Sequence, residues 1–444
     1  MLALFERFES NVRSYCRDFP VVFKRAEQSF MFDVEMNRYI DFLCAAGSLN
    51  YGHNHPHIKR AILDYINENG IMQSLDLYTE AKYLFVEALQ STILGPRGLT
   101  YKQQFTGPTG TNAVEAALKL ARKVTGRCSV VAFTNAFHGV SLGALATTAS
   151  ARKRQAAGVA LHGVIRLPYQ GFVPGEDDGR YVEAMLTDPG SGVDAPAAII
   201  LETVQGEGGL QTASASWLQR IAAIAARIGA LIIVDDIQTG CGRTGTFFSF
   251  EGMPIAPDIV CLSKSLSGIG LPLSVVFIAP KYDIWTPGEH NGTFRGNNLA
   301  FVSARAALDL WREEAFLAGL RRNVEHLQTR LQDIVQTFGH AGLVLKGRGM
   351  IRGIELPDPA LAHQIKAEAF RRRLVLETCG PTDSVVKLMP PLTIEAEVLD
   401  EGLDILAKAI GHALAARPHH GHGDRSRRAS AVSAPPAAIR TGPP

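Results

Sequence analysis

A carboxylate and a lysine stand where they can serve one cofactor. Asp235 follows the strand-like apolar run Leu231-Ile232-Ile233-Val234, and Lys264 lies further along in the polar segment Leu262-Ser263-Lys264-Ser265. Pyridoxal phosphate needs a lysine amine to hold its aldehyde as a Schiff base, and a carboxylate to keep its pyridine nitrogen protonated. Taken singly, such an Asp is typical of a turn and such a Lys of a solvated loop, so the hypothesis depends on the rest of the site.

A glycine-rich loop offers a place for the cofactor's phosphate. Gly107-Pro108-Thr109-Gly110-Thr111-Asn112 precedes a stretch whose apolar residues recur at the spacing of one helix face: Ala113, Ala116, Ala117, Leu120 and Val124. Such a loop presents unpaired backbone N–H groups and the positive end of a helix dipole, and the Thr111 hydroxyl adds a donor. A plain helix-capping turn is the alternative interpretation.

An aromatic face for the pyridine ring is available in Phe137-His138-Gly139. This segment follows the strand-like run Val130-Val131-Ala132-Phe133. The alternative is a core phenylalanine beside a loop histidine. Because the cofactor needs a lysine, a carboxylate, a phosphate loop and a ring contact together, their joint presence favours the pyridoxal phosphate interpretation over the separate alternatives.

The order of these segments resembles that of the class III, or omega, aminotransferases of fold type I. The resemblance covers roughly residues 20 to 410 and rests on the following motifs: Asp41-Phe42 with Gly52-His53-Asn54-His55-Pro56, Gly110-Thr111, Phe137-His138-Gly139, Glu202-Thr203-Val204-Gln205-Gly206-Glu207-Gly208-Gly209, Asp235-Asp236-Ile237-Gln238-Thr239-Gly240, Ser263-Lys264 and Thr293-Phe294. It implies an α/β fold with a large domain on a mainly parallel seven-stranded sheet, plus a smaller α+β domain.

The resemblance also assigns roles around the cofactor's reactive end. Lys264 is implied to form the Schiff base and then to act as general base and acid. Burial beside a cationic ring system would lower its pKa, as that role requires. Asp235 is implied to pair with the pyridinium nitrogen, and Gln238 to lie near the phenolic oxygen.

The remaining cofactor contacts follow from the same resemblance. Gly110 and Thr111 are implied to hold the phosphate. Phe137 is implied to stack on the ring, and His138, the next residue, to belong to the cofactor-binding residues. Thr293 is implied to reach a phosphate from the neighbouring subunit. The expected assembly is therefore a homodimer or higher oligomer with shared active sites.

Two segments resemble one subfamily more closely, the diaminobutyrate:2-oxoglutarate aminotransferases. They are residues 8–23, FESNVRSYCRDFPVVF, and residues 288–298, GEHNGTFRGNN. The resemblance implies transfer of the amino group of L-glutamate onto L-aspartate 4-semialdehyde, which gives L-2,4-diaminobutyrate for ectoine, siderophores or other nonribosomal peptides. The alternatives are another omega-aminotransferase, acting on ornithine, acetylornithine, 4-aminobutyrate or a polyamine, an aminomutase, and a pyridoxal-phosphate-binding protein without turnover.

Substrates of different charge must use one pocket in this reaction. In the wider family, a glutamate at the position of Glu207 pairs with an arginine before a Pro-Pro-Leu motif, and the pair opens for a dicarboxylate. Lys387 replaces that arginine here and supplies a point charge rather than a bidentate fork. A solvated strand lysine is the alternative interpretation. Glu202, and Arg295 where many relatives have glycine, are further candidate substrate contacts.

Apolar runs and helical periods alternate along the chain, which predicts a mainly parallel sheet. The predicted strands are 130–133, 197–201, 231–234, 259–262 and 274–279, with helices near 112–125 and 214–228. The family resemblance divides the chain into an N-terminal segment of the small domain at 1–74, a large cofactor-binding domain at 75–310 and the C-terminal small domain at 311–416. Residues 417–444 are dominated by Pro, Gly, Ser, Ala and Arg without an apolar period, which predicts a disordered tail.

Composition narrows the class of protein further. The chain has 444 residues, of which 46% are apolar, a net charge of +2, and no apolar stretch long enough to span a membrane. Six cysteines without a CxxC pair indicate free thiols, and with no recognisable signal peptide we expect a cytoplasmic enzyme. The sequence shows no structured basic face, so nucleic-acid binding is not predicted. No metal site is expected, His419-His420-Gly421-His422 in the tail being the only, weak candidate.

Overall fold

The structure, a computed structural model, describes residues 1–416. The expectations for the tail, disorder over 417–444 and the weak metal candidate at residues 419–422, lie outside these residues. None of the described helices is long and apolar enough to cross a membrane.

The strands, in chain order, are β1 (Phe23–Glu27), β2 (Phe30–Asp33), β3 (Arg38–Asp41), β4 (Lys102–Phe105), β5 (Val130–Phe133), β6 (Val164–Leu167), β7 (Ala198–Leu201), β8 (Val204–Gln205), β9 (Gln211–Thr212), β10 (Leu231–Asp235), β11 (Ile259–Leu262), β12 (Val275–Ile278), β13 (Val344–Arg348), β14 (Ile351–Glu355), β15 (Leu374–Val375), β16 (Glu377–Cys379) and β17 (Val385–Leu388).

Helices accompany these strands in the described part of the chain. In chain order they are α1 (Leu2–Phe8), α2 (Tyr15–Asp18), α3 (Pro56–Asn67), α4 (Glu80–Leu89), α5 (Gly110–Thr125), α6 (Leu142–Thr147), α7 (Ala151–Gln155), α8 (Asp178–Thr187), α9 (Ala215–Ile228), α10 (Asn298–Leu310), α11 (Glu314–Thr337), α12 (Pro359–Arg371) and α13 (Ala396–Ala415). The two predicted helices correspond to α5 and α9.

Seven strands form the central sheet, in the order β4-β12-β11-β10-β7-β5-β6. The strands from β11 to β6 run parallel to one another, whereas β12 is antiparallel to both β11 and β4. Val234 of β10 pairs with Val260 on one side and Leu201 on the other, so β10 lies in the interior of the sheet. The predicted fold, a mainly parallel seven-stranded sheet with helices, is confirmed.

Both faces of this sheet are covered, which explains why its strands read as continuous apolar runs. Every residue of β5, β7, β10, β11 and β12 is buried. Successive side chains point to opposite faces: Ile233 packs in the layer that contains α5, and Val234 in the layer on the other face. Asp235 is the last residue of β10 and therefore lies at the carboxyl end of the parallel strands.

Residues from both ends of the chain build the rest of the structure. β1, β2 and β3 form an antiparallel sheet to which the C-terminal strand β15 adds in parallel beside β3. A second antiparallel sheet has the order β13-β14-β17-β16. The combination of N-terminal and C-terminal elements agrees with the expected smaller α+β part, while the domain limits at residues 74 and 310 stay predictions.

Candidate active site

A cavity of about 320 Å³ opens at the carboxyl end of β10. This is the edge of a parallel sheet at which ligands collect. Its lining includes nine of the residues singled out from the sequence: Gly110, Thr111, Phe137, His138, Glu202, Glu207, Asp235, Gln238 and Lys264. Most of the predicted site is thus brought together in one place.

Asp235 presents a fixed carboxylate to this cavity. Its Oδ2 lies 2.7 Å from Nδ1 of the His138 ring, and its Oδ1 accepts a hydrogen bond of 3.1 Å from the backbone N–H of Ile237. Both Asp235 and His138 are buried. The carboxylate is therefore held in one orientation, and its negative charge has little water around it to screen it.

The amine of Lys264 lies in the same cavity. Lys264 follows β11 and has a left-handed backbone, with φ of 49°. Its Nζ donates a hydrogen bond of 3.0 Å to the carbonyl of Ala46. Burial lowers the pKa of Lys264, while the charge of Glu207 opposes the shift. A lowered pKa increases the fraction of neutral amine, which is the form that can take up a proton.

The Ala46 carbonyl belongs to a left-handed turn that the sequence does not signal. Cys44, Ala45, Ala46 and Gly47 all have positive φ, at 47°, 47°, 57° and 84°. Non-glycine residues adopt this conformation only when the surroundings impose it. Here the Asp41 carboxylate accepts from the N–H groups that open the turn, those of Leu43 and Cys44. The Ser265 hydroxyl donates to the Gly47 carbonyl.

The predicted phosphate loop forms the start of α5. Thr109 caps this helix through hydrogen bonds with the Asn112 side chain, so the N–H groups of Gly110 and Thr111 precede the first intrahelical bonds. The Thr111 hydroxyl lies 2.6 Å from that of Ser141, which in turn donates to Glu115. Ser141 and Glu115 carried no signal in the sequence, because both are common surface residue types.

Gly139 allows the loop after β5 to approach the start of α5. It has φ of 127°, and an added Cβ would lie 2.3 Å from Oγ1 of Thr111. No side chain fits there without displacing the Thr111 hydroxyl. The glycine of the Phe137-His138-Gly139 segment therefore shapes the floor of the cavity beside the helix start.

Glu202 fastens the backbone on two sides of the cavity. Its carboxylate accepts from the N–H of Phe137 at 3.0 Å and from the N–H of Gly206 at 3.1 Å. Burial raises the pKa of the Glu202 carboxyl to about 7. The Phe137 ring is half-buried at the cavity wall, with Nζ of Lys153 at 4.2 Å from its centroid.

Lys387 lies behind Glu207, one layer deeper than the cavity wall. Its side chain is 0% exposed, which rules out the solvated strand lysine, and its Nζ lies 3.0 Å from Oε1 of Glu207. The same Oε1 accepts from Gln238 Nε2 at 3.0 Å, and Gln238 also donates to the Ala46 carbonyl. The Lys387 charge and the Lys264 charge lower the pKa of Glu207, against the effect of burial.

A second carboxylate contacts Lys387 and was not found from the sequence. Oε1 of Glu377 lies 2.8 Å from Lys387 Nζ, and Oε2 of Glu377 accepts a hydrogen bond of 3.1 Å from the Tyr15 hydroxyl. Glu377 is buried. Tyr15 belongs to one of the two subfamily-like segments, but nothing in its position along the chain indicates a contact with β16.

Besides Lys387, two further predicted site residues, Thr293 and Arg295, do not line this cavity. Thr293 is exposed, and its carbonyl accepts a hydrogen bond from the Gln73 side chain. Arg295 donates to the His290 carbonyl at 3.0 Å and to Asn291 Oδ1 at 3.1 Å. It lines another cavity, of about 900 Å³, together with Tyr78 and other residues of the α4 region.

The cavity fits pyridoxal 5'-phosphate by its donor set. It combines an amine for the aldehyde, a buried carboxylate for the ring nitrogen and free N–H groups at a helix start for the phosphate. Oε1 of Gln238 and Nε2 of His138, both buried in the lining, have no hydrogen-bond partner within the described residues. Such orphaned polar atoms are what a site for a polar ligand leaves unsatisfied.

Comparison with known proteins gives the family. Residues 13–410 match the family described as Aminotransferase class-III. A diaminobutyrate--2-oxoglutarate transaminase of Virgibacillus pantothenticus is 50% identical over 93% of this chain and 100% of its own length. One from Vibrio cholerae is 52% identical over 92% of this chain and 99% of its own. Ornithine aminotransferase from Toxoplasma gondii has the same fold, with a TM-score of 0.81 at 24% identity over 94% of this chain and 95% of its own. The chain therefore belongs to the class-III aminotransferases, enzymes that work with pyridoxal 5'-phosphate.

Proposed function

We propose that this enzyme transfers the amino group of L-glutamate to L-aspartate 4-semialdehyde. The products are 2-oxoglutarate and L-2,4-diaminobutyrate, and the reaction is reversible. The observation that carries this choice of substrates is the identity of about half of all residues, over nearly the whole chain, with transaminases named for that reaction. The reaction class is supported by Lys264 and Asp235, which line one cavity.

The residues that we propose for the cofactor are those of the cavity. Lys264 holds it covalently, Asp235 pairs with the ring nitrogen, and the N–H groups of Gly110 and Thr111 receive the phosphate. Phe137 covers one face of the ring, and the Gln238 side chain lies toward the phenolic oxygen. When bound, pyridoxal phosphate supplies an electron sink for the substrate carbon and carries the amino group between the half-reactions.

Lys264 moves the protons in both half-reactions. Its amine takes the proton from Cα of glutamate in the first, and returns a proton to C4 of the semialdehyde in the second. Burial favours the neutral amine that the first step needs. Asp235 maintains a negative charge on the other side of the cavity, where it favours the transition state for proton removal.

Glu207 and Lys387 allow one cavity to accept two substrates of different charge. While they are paired, Glu207 shields the charge of Lys387 from the cavity, which suits an acceptor that reacts through its aldehyde end. Rotation of Glu207 away from Lys387 exposes an ammonium group for a carboxylate of glutamate. The 3.0 Å pair and the side-chain exposure of Glu207, 27%, support this arrangement, since Glu207 has room to leave.

We further propose a homodimer in which each subunit completes the other's site. Thr293 is exposed and does not line its own subunit's cavity, so a contact with a cofactor phosphate requires a second copy. Phe294, the next residue along the chain, is an exposed apolar side chain, and so are Leu77 and Tyr78, which follow closely after Gln73, the residue whose side chain donates to the Thr293 carbonyl. Exposed apolar side chains of this kind are typical of an interface where they form a continuous patch.

The six cysteines support a reducing compartment. All are free, and four of them are buried: Cys44, Cys241, Cys261 and Cys379. Disulfides are the usual outcome in oxidising compartments. We therefore propose the cytoplasm as the site of action, which fractionation of cells that produce the protein would test.

The reaction is tested by separating its halves. L-Glutamate should bleach the visible absorbance of the holoenzyme and release one equivalent of 2-oxoglutarate per active site. After removal of the donor, aspartate 4-semialdehyde should restore the absorbance, whereas the semialdehyde derived from ornithine and succinic semialdehyde should restore it slowly. Lys264→Ala should show neither change. Recovery only with another aldehyde would contradict the proposed acceptor, and no bleaching by any amino donor would contradict transamination itself.

A further inference from the structure

Lys387 has one positive charge and two carboxylates within ion-pair distance. Its Nζ lies 3.0 Å from Glu207 and 2.8 Å from Glu377, and its side chain is fully buried. Glu207 lines the cavity, whereas Glu377 does not. The contacts form a row from Glu207 at the cavity through Lys387 and Glu377 to Tyr15.

The presence of Glu377 changes the charge that is left at Lys387 when Glu207 rotates away. In a simple pair, the departing glutamate uncovers a full positive charge for the incoming carboxylate. Here an ionised Glu377 would remain in contact with Lys387 and already neutralise it. Glu207, which keeps its charge, and an ionised Glu377 already give this region two negative charges against one lysine, so a donor carboxylate adds a third, which is unfavourable at low dielectric.

We propose that Glu377 is a positioning residue for the amino donor, which takes up a proton when the donor's carboxylate binds at Lys387. The proton removes the competing charge and leaves the lysine to the donor. The proposal rests on the proposed function, in which the donor is the dicarboxylate glutamate. It makes donor affinity, but not the chemical step, depend on the protonation of Glu377.

The surroundings of Glu377 favour protonation there rather than at Glu207. Burial raises the pKa of Glu377, the charge of Lys387 lowers it and the charge of Glu207 raises it further. The charge of Lys264 lowers the pKa of Glu377, and Tyr15 from α2 and Cys379 on the same strand are further titratable neighbours. Glu207, in contrast, has a lowered pKa and keeps its charge.

Tyr15 can accommodate either state of Glu377. Its hydroxyl donates to Oε2 of the carboxylate, and the same oxygen can accept when Glu377 carries the proton. The Tyr15 residue is 46% exposed, so the row ends at a residue that reaches solvent outside the cavity. The N-terminal segment is thereby connected to the donor site.

The test uses the holoenzyme of Glu377→Gln, which imitates the neutral carboxyl, and compares the pH dependence of KM for glutamate with that of kcat. In the original enzyme KM should rise with pH, by up to about tenfold per unit where one proton is taken up on binding. In Glu377→Gln this rise should disappear, with kcat changed far less than KM.

The fold should tolerate the change, because Lys387 keeps Glu207 as its partner. Glu355→Gln, a partly exposed glutamate of the same sheet, is the matched control and should behave as the original enzyme.

A direct measurement does not depend on the variant. Glutarate, a dicarboxylate without an amine, should cause uptake of protons by the original holoenzyme in weakly buffered solution, and none by Glu377→Gln. An unchanged KM slope in Glu377→Gln, or binding of glutarate without proton uptake, would overturn the proposal. If the original enzyme used another donor but not glutamate, the proposed function would fail instead, and the half-reaction assay would reveal this separately.

Discussion

Nδ1 of His138 lies 2.7 Å from Oδ2 of Asp235, and neither side chain is exposed to more than a few per cent. Because an ionised carboxylate only accepts hydrogen bonds, the ring nitrogen is the donor. The contact joins the loop after β5 to the end of β10. It gives the histidine of the Phe137-His138-Gly139 segment a specific task, the orientation of the carboxylate that we assign to the cofactor.

His138→Leu should weaken cofactor binding. Loss of a hydrogen bond to a charged group costs about 1.5–3 kcal/mol, which corresponds to roughly 10- to 150-fold in affinity. His138→Gln, which retains an N–H donor, should lose less. Titration of the apoenzymes with pyridoxal phosphate, followed by absorbance, gives the dissociation constants. Equal affinity in His138→Leu and the original enzyme would mean that the Ile237 N–H alone positions Asp235.

Gly139→Ala should reduce cofactor affinity at least tenfold, because its Cβ would displace the Thr111 hydroxyl and the backbone is strained for any other residue. Gly175→Ala is the matched control. That glycine also has positive φ, 81°, but nothing lies within 4 Å of an added Cβ. Both variants should lose some thermal stability, whereas only the first should lose cofactor in the same titration. A similar loss in both would assign the effect to backbone strain.

Five of the seven strands of the central sheet could be predicted, whereas the edge strands β4 and β6, which are only partly buried, could not. Val130–Phe133 and Ile259–Leu262 have the predicted limits, since strands buried on both faces are continuous apolar runs bounded by polar turns. Helix α5 begins at Gly110, two residues before the predicted start at 112. The reason is that the N-cap residue Thr109, and not the first apolar residue, sets the start of the helix. The short strands β8, β9, β15 and β16 have too few residues to show a period.

The interior of the site could be predicted only in part. Lys264 and Asp235 follow from cofactor chemistry, but the left-handed turn at Ala45 and Ala46 uses residues that prefer other conformations. Tyr15 and Glu377 meet only through the fold, across most of the chain. No local pattern encodes contacts of this kind, which depend on how distant segments pack.

Lys387→Met should destabilise the protein by about 3–5 kcal/mol, because two buried carboxylates lose their shared cation. Lys346→Met is the matched control: its pair with Glu355 lies in the same sheet but is partly exposed, and its loss should cost less than about 1 kcal/mol. Urea unfolding of the two variants measures the difference. Equal effects would show that burial of Lys387 does not make its ion pairs more important than a surface pair.

Glu202 should make stability fall as pH rises from about 4.5 to about 7. Its folded-state pKa of about 7 lies above the ordinary carboxyl value of 4.5, so the folded protein binds more protons in this window and loses that advantage as pH rises. Glu202→Gln should flatten this part of the stability curve by an amount of the order of 3 kcal/mol. Its absolute stability should also fall, because an amide nitrogen then faces a backbone N–H. Urea midpoints across the pH range give both quantities, and an unchanged slope would place the titration elsewhere.

Thr293→Ala and Lys264→Ala together test whether the sites are shared between subunits. Thr293→Ala should lower activity at limiting cofactor, because a hydroxyl to the phosphate is lost, and Lys264→Ala should be inactive. In a dimer that holds one subunit of each kind, one site combines an intact Lys264 with the partner's intact Thr293. Random exchange should therefore restore full affinity to about a quarter of all sites, since half of the dimers are mixed and each has one complete site. If Thr293 served its own subunit, every site with an intact Lys264 would still lack the hydroxyl, and mixing would restore nothing.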